Sequence, residues 1–535
     1  MKKTESEIPM QSGKIKLLLT VLLSTLGGLS VNAQLMFQKI YGDASTIYAA
    51  SLEKTNDGGY IMTGLTYQPP TTGGDVLLIK TDINGDTLWT KTFGGTGLEQ
   101  GNSVRQTNDG GYIVVGSTVS FGAGNNDVYL IKTNGSGNAA WTKTIGNVPA
   151  EYGYSVRQTA DSGYIILATT NAVAGLNDIF LIRTDSAGTV IWTKIHSGTY
   201  YNDVYSFEPT NDGGYIISGR NAVGAGDYNF YLFKADSSGN NLWVKTYGGV
   251  TNDMAYAVQQ TADSGYIMAG YTSSFGAGLE DVYVVKTDSV GDTLWTKTYG
   301  EVGYERGNAV KQTADGGYII TGSTTSFGTG GDAYLLRIDG SGTVLWSKNF
   351  GGPYGEIGKS LLIDNDGGYV IAGIYNDGSN ASVYLVKTDS SGNSQCNTAT
   401  NTTLANFAAT QVANLVTTVS TNNPVVSVAA SIVASVDSAH TLCSNVGISE
   451  YSPNENSISI FPNPTKDNFT ININAEIKKA QIEIYNVMGE KIHTEIISAA
   501  SSKEIYLRNI SSGIYFVKVY NGQNQYTKKL IIERD

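Results

Sequence analysis

From residue 34 to about 391, apolar and polar positions alternate in short runs broken by Asp- and Gly-rich turns. Period-two alternation puts every second side chain on one face and reads as half-buried β-strand rather than helix. The clearest unit spans 252–300 and predicts four strands, here called A to D: AYAVQQT (255–261), GYIMAG (265–270), DVYVVK (281–286) and TLWTKTY (293–299). The A–B link, Ala262-Asp263-Ser264-Gly265, and the C–D link, 287–292, are tight and place Asp and Gly where a turn needs them. The B–C and D–A links are longer and rich in Gly.

The unit recurs. Tyr60, Tyr112, Tyr164, Tyr215, Tyr266, Tyr318 and Tyr369 each open strand B, at spacings of 52, 52, 51, 51, 52 and 51 residues. All six tryptophans, Trp89, Trp141, Trp192, Trp243, Trp295 and Trp346, keep the same period. A period near 50 means a propeller or a solenoid. Four antiparallel strands per unit, seven times over, predict an all-β, seven-bladed β-propeller over 34–391. A linear β-solenoid is the alternative, but its coils are usually shorter and lack this rhythm of tight turns and long loops. The tryptophans, one per strand D, are expected to be the structural core that packs each blade on the next. The seventh unit has A, B and C over 357–387 but reads Ser394-Gln395-Cys396 where Trp is due. Residues 35–42 (LMFQKIYG) align with LWTKTFG of strand D and put Phe37 at the Trp position. The N-terminal strand is therefore expected to complete blade seven and close the ring, which removes an exposed edge.

Charge and composition narrow the chemistry. The chain carries −12 overall and −13 over 34–391, which argues against a nucleic-acid partner. Only three histidines and two cysteines are present and none recurs with the repeat. No HExxH or GxSxG pattern occurs, so no catalytic residue is assigned. Just before strand A, equivalent positions read Ile47, Glu99, Glu151, Asn202, Asp253, Glu305 and Glu356. Strand A is normally innermost, so Glu99, Glu151, Asp253, Glu305 and Glu356 form a candidate ligand-binding ring at the channel mouth. One reading is a cation or basic-ligand site, since hard cations take clustered oxygens. The preferred one is that each carboxylate accepts backbone N–H groups of its own loop. No cofactor is expected, with calcium or another cation the one considered for this ring. The turn aspartates Asp57, Asp109, Asp161, Asp212, Asp263, Asp315 and Asp366 lack the every-second-residue acid spacing of a calcium loop and read as turn formers. Loop residues Phe121, Phe275 and Phe327 could contact a partner, but their recurrence favours loop packing.

Lys2, Lys3, Lys14 and Lys16 precede an apolar run over 17–29, and Val31-Asn32-Ala33 then reads as a cleavage site. Residues 1–33 are thus expected to be a signal peptide, with a retained anchor as the alternative, and no later transmembrane span is expected. Residues 392–450 read as a Thr/Ala/Ser/Asn-rich linker, in which VVSVAASIV (425–433) permits an extended strand. Cys396 and Cys443 bracket it. In an oxidising compartment they are expected to form a disulfide contributing about 4 kcal/mol, two free thiols being the alternative.

Residues 451–535 read as about seven short strands, a small β-sandwich. The stretches Phe461-Pro462-Asn463-Pro464-Thr465, Asn486-Val487-Met488-Gly489, Gly513-Ile514-Tyr515-Phe516-Val517-Lys518-Val519 and Lys528-Lys529-Leu530 closely resemble the C-terminal sorting domain of the type IX secretion system of Gram-negative bacteria. The resemblance rests on Pro462, Asn463, Pro464, Gly489, Gly513, Tyr515 and Lys529 together. It implies passage through the periplasm and across the outer membrane by the type IX machinery. It also implies removal of the domain by a sortase-like peptidase, then release or attachment to surface lipopolysaccharide. The array, through DVYLIKTNGSGNAAW (127–141), resembles Trp-containing bacterial propellers, including pyrroloquinoline-quinone-like ones. The cofactor and calcium ligands of the quinone enzymes have no evident counterpart, so their chemistry is not implied. The expected function is a secreted or cell-surface propeller that binds a glycan or protein. A secreted polysaccharide-degrading hydrolase or lyase, with channel-mouth carboxylates as acid and base, and a structural surface component are the alternatives.

Overall fold

The computed structural model describes residues 35–394 apart from short loop stretches, six strands between 398 and 445, and most of 458–533. The expected signal peptide and Cys396, hence the disulfide, lie outside the described residues, as do Pro464 and Gly489. The chain forms two compact units, Met1–Asn445 and Val446–Asp535.

The first unit is a ring of seven antiparallel sheets whose A to D strands follow one another in space as in sequence, except that the strand-D place of blade seven is filled from the N-terminus. Blade five, for example, is built from Asp253–Gln260, Tyr266–Thr272, Asp281–Thr287 and Thr293–Gly300. The A strands of neighbouring blades touch all the way round, and that of blade seven, Ile357–Ile363, meets that of blade one, Thr46–Lys54. The turn aspartates explain part of the repeat. Asp263 accepts the Gly265 N–H at 3.0 Å and pairs with Lys286 of strand C at 2.9 Å. The same pair joins Asp57 to Lys80, Asp109 to Lys132, Asp161 to Arg183, Asp212 to Lys234, Asp315 to Arg337 and Asp366 to Lys387. Most of these carboxylates face solvent, so the pairs add little to stability and serve mainly to hold the turn against strand C.

The tryptophans pack against the cores between blades as partly buried side chains. Four indoles meet edge-on the tyrosine that opens strand B of the next blade, as in Trp89–Tyr112 (centroids 5.8 Å, 63°) and Trp295–Tyr318 (6.1 Å, 62°), and Trp346 meets Tyr369 at a tilt of 56°. The tyrosines are buried, most of them fully, whereas the tryptophans, on strand D, are half-buried. The fully shielded large side chains are therefore the tyrosines, and the indoles lie over them. A glycine in the next blade's C–D turn closes each contact. Gly137 has φ +75°, and a Cβ there would lie 2.7 Å from the Trp89 ring. That position thus needs glycine for its backbone and for its neighbour.

The ring closes with a strand from the other end of the propeller. Met36–Tyr41 pairs antiparallel with Ala381–Lys387, from Phe37 opposite Lys387 to Tyr41 opposite Val383. Gln38 Nε2 donates to Ser394 Oγ at 2.5 Å.

The stretch read as a linker does more than connect. Thr398–Asn401, Leu404–Phe407, Gln411–Asn414, Thr418–Ser420, Ser431–Val433 and Ala439–Asn445 add outer strands to blades six, five, four, three, one and seven in that order. The chain thus runs back around the rim, pairing antiparallel with the outward edge of each strand D it meets. Its strands are three to seven residues long, too short for alternation to separate from loop, and they gain their order from the edges they cover.

In the second unit a three-stranded sheet (Ile458–Phe461, Asn468–Ile473, Ser502–Tyr506) and a four-stranded one (Lys491–Ser498, Lys479–Asn486, Gly513–Tyr520, Gln525–Ile532) share a core that includes Phe469, Ile482, Ile484, Val517 and Leu530. Asn463 ties its segment to the last strand, donating to Lys529 O at 2.7 Å and accepting from Ile531 N at 2.8 Å. Tyr515 is buried and its hydroxyl donates to Ser511 O at 2.7 Å.

The propeller channel as candidate functional site

Every strand A carries a β-bulge at the same place. The register against strand B shifts around Ala50, Asn102, Tyr154, Tyr205, Tyr256, Asn308 and Lys359, one per blade. A bulge re-aims a side chain relative to the flanking alternation, and these seven residues line the central channel. They form a collar between a wider chamber of about 490 Å³ and a narrower one of about 200 Å³. Tyr154, Tyr205 and Tyr256 sit in series on blades three to five, with ring centroids 6.1 and 5.2 Å apart. The Asn102 and Asn308 amides donate to the carbonyls of Gly153 and Gly358 at 2.8 Å, joining each strand A to the next. Leu52 N donates to Ser360 Oγ at 3.2 Å across the ring's seam.

Three residues further along strand A the narrow chamber is bounded by charge. Arg157 and Lys311 both reach Glu208, at 3.2 and 3.5 Å, and Arg105 stands 4.0 Å from Glu53. Burial pushes Arg157 down to about 10, with Arg105 adding to the shift. Burial also opposes the Glu208 charge, but Arg157, Lys311 and Arg105 outweigh it and hold the carboxyl below its ordinary value. Glu53 goes the other way: burial raises it, against the pull of Arg105 and the Gln106 N–H. In the wider chamber, burial and then the nearby Arg306 guanidinium hold the Lys359 ammonium low. Arg306 itself is paired with Glu280, through Nη2 to Oε1 at 2.8 Å.

The candidate acidic ring lies elsewhere. Glu99, Glu151, Asp253 and Glu305 begin their A strands, Glu356 immediately precedes its own, and all five are buried in the seams between blades. Each accepts a backbone N–H of its own D–A loop: Gly95 to Glu99 at 2.7 Å, Asn147 to Glu151 at 3.1 Å, Gly249 to Asp253 at 2.7 Å, Glu301 to Glu305 and Gly352 to Glu356 at 3.0 Å. Each of these seams also holds a residue from the start of strand C of the preceding blade. A Cβ on Gly146 would press on both Asp127 and Glu151; Gly94, Gly300 and Gly351 are hemmed in the same way by Asp75 and Glu99, Asp281 and Glu305, and Asp332 and Glu356. Two seams keep one acid and one amide, Asp178 with Asn202 and Asn229 with Asp253. Burial is the main cause of the raised carboxyls: Glu151 and Glu356 rise to about 7, and Asp178 and Asp281 to about 6. Among the described residues no three His, Cys, Asp or Glu side chains converge as a metal site would require. Phe121, Phe275 and Phe327 pack on Tyr129, Tyr283 and Tyr334. His196, fully buried, bonds to Gly239 O at 2.9 Å where Tyr247 and Tyr299 bond to Gly291 O and Gly342 O. It takes a tyrosine's place, and burial pushes it down to about 4.

The collar is not visible in the sequence as a recurring residue type, unlike the acids at the head of strand A. Its signal was the opposite one. Within an otherwise regular strand A, the bulge position changes from Ala to Asn to Tyr to Lys.

The chain is thus an all-β propeller followed by a small β-sandwich. Residues 459–533 match the family described as Secretion system C-terminal sorting domain. The second unit is thus a type IX sorting domain, and the protein is exported to the cell surface or secreted. An ulvan lyase of Nonlabens ulvanivorans is 31% identical over 77 residues, a match spanning 14% of either chain. Among solved structures, a fungal alcohol oxidase of the AA5 family in complex with copper overlaps 93% of this chain and 98% of its own, at 10% identity and a TM-score of 0.39. Among the described residues no helix is long and apolar enough to cross a membrane.

Proposed function

We propose that the protein is a non-enzymatic binding propeller, delivered to the cell surface or medium by its sorting domain, that takes ligand into the wider channel chamber. The observation that carries this is the aromatic cluster of Tyr154, Tyr205 and Tyr256, its rings crossed at 88° and 58°, beside a chamber of about 490 Å³. That volume lies within the range of small-molecule sites, about 300–1,000 Å³, and flat rings with nearby amides suit a sugar or a peptide end. The signal peptide carries the chain to the periplasm, and a sortase-like peptidase then removes the sorting domain. The hydrolase or lyase alternative draws on the ulvan lyase relative. One experiment separates them: screening the exported protein and its Tyr205→Ala variant on arrays of neutral and acidic oligosaccharides and peptides, with product release followed in parallel. Binding without turnover, lost in Tyr205→Ala, is the expected result. Product release would favour the enzyme, and the absence of any binding would favour a structural surface component.

A further inference from the structure

The channel has the opposite sign to the propeller around it. Residues 34–391 carry −13, yet the channel groups are Arg105, Arg157, Lys311, Lys359 and Arg306 against Glu53, Glu208 and Glu280. Four of the cations have a carboxylate within 4.0 Å. Among the described residues Lys359 has none, although it sits on the collar and lines both chambers. A half-buried ammonium without a counter-charge is costly, and a strand of this repeat has no packing need for it: the equivalent positions hold Ala, Asn or Tyr.

The geometry points to an acidic saccharide as the channel's ligand, a sugar bearing a carboxylate or a sulfate ester, with Lys359 taking the acid group and one ring of the crossed Tyr154–Tyr205–Tyr256 cluster taking the sugar face. This rests on the binding reading above and specifies its ligand. The parts match the chemistry. A pyranose offers an apolar C–H face to aromatic rings and hydroxyls to amides, here Gln100, Asn102 and Asn308. An acid group on the same ring replaces the water lost by the ammonium with a charge-assisted hydrogen bond. Blades three to five carry the tyrosines, and blade seven, across the channel, carries Lys359, so one ring spans the two. Ala50 on blade one leaves the room. The acidic outer surface would repel a long polyanion, so a chain end or a short fragment is what enters.

The test is calorimetric titration of the exported protein with glucuronate, galacturonate, a sulfated galactose, the neutral parent sugars and inorganic sulfate. Lys359→Gln and Lys359→Arg are measured alongside. Acidic sugars should bind and the neutral parents much more weakly. Lys359→Gln should weaken the acidic sugars at least about tenfold, as loss of one partner of a desolvated charge pair does, while Lys359→Arg keeps most of the affinity. Removing an uncompensated charge should not lower the melting temperature, which separates loss of binding from loss of fold. Equal affinity for neutral and acidic sugars, unchanged binding in Lys359→Gln, or binding of inorganic sulfate as tight as that of the sugars would overturn the inference. If a neutral sugar or a peptide binds and Tyr205→Ala abolishes it, the binding reading stands and the acidic-sugar assignment falls.

Discussion

Phe37 stands to Tyr60 as Trp89 stands to Tyr112 and Trp295 to Tyr318, edge-on, with centroids 6.5 Å apart and planes at 64°. It lies in the first strand of the propeller and Tyr60 in blade one, so this contact, with the pairing of Met36–Tyr41 to Ala381–Lys387, is the seam of the ring. The turn glycine is present too: a Cβ on Gly85 would lie 2.9 Å from the Phe37 ring. Phe37→Ala should therefore cost about 3–5 kcal/mol, measured by urea unfolding. Phe37→Trp should be near neutral, because six seams already accept an indole there. Deleting 34–42 should lower the melting temperature more than either; an unchanged melting temperature would show that the strand does not hold the ring closed.

The seam carboxyls give stability an unusual pH dependence. Glu151 and Glu356 rise from 4.5 to about 7, and Asp178 and Asp281 from 3.8 to about 6. The folded state binds these protons more readily than the unfolded one, so their contribution is fully present below about 4 and is lost as pH rises through 6 to 7. His196, lowered from 6.5 to about 4, runs the other way, one group against four. The melting temperature should rise when pH falls from 8 to 5, and Glu356→Gln should flatten that slope. Below pH 4 the turn aspartates Asp109, Asp161 and Asp212, held near 2, lose their pairs and stability should fall. A flat melting profile between pH 8 and 5 would count against paired carboxyls in the seams.

How much of this was legible in the sequence depends on how far each feature is local. Strands, tight turns and blade number follow from alternation and from one tyrosine and one tryptophan per period. Closure by 35–42 was legible because Phe37 and Gly42 keep the spacing of strand D. The seam acids could be found by alignment but not oriented: only the strand-A bulge, a pairing irregularity, decides that Tyr154 turns to the channel while Glu151 lies buried in the seam. The rim strands were the least legible. Thr398, Ala405, Val412 and Val419, opposite Phe350, Tyr299, Tyr247 and His196, recur every seven residues. Their side-chain types vary, and the pattern emerges only against the strands they cover.

The rim strands cover edges that would otherwise be open. Strand D of blade five offers unpaired backbone groups along Lys297–Gly300 unless Leu404–Phe407 lies against it, and five other blades stand in the same position. Open edges invite pairing with a second copy. A chain ending at residue 394 should keep its β-sheet circular dichroism but associate with rising concentration, read by light scattering. A protein that stays monomeric at the same concentrations as the full chain would show that the rim strands are dispensable for solubility.

The charged end of the channel is the last feature that a single substitution can probe. Glu208 is the carboxylate shared by Arg157 and Lys311, and Glu208→Gln leaves both cations facing each other and Arg105. Breaking a dry buried pair costs about 3–5 kcal/mol; Glu208 keeps 24% of its side chain exposed, so about 1–3 kcal/mol is expected. The loss should be partly recovered by sulfate, which can occupy the vacated anionic position, and less by chloride at equal ionic strength. Urea midpoints of the two proteins, with and without sulfate, measure this. Equal stability of the variant and the parent in low salt would mean that water, not Glu208, balances the two cations.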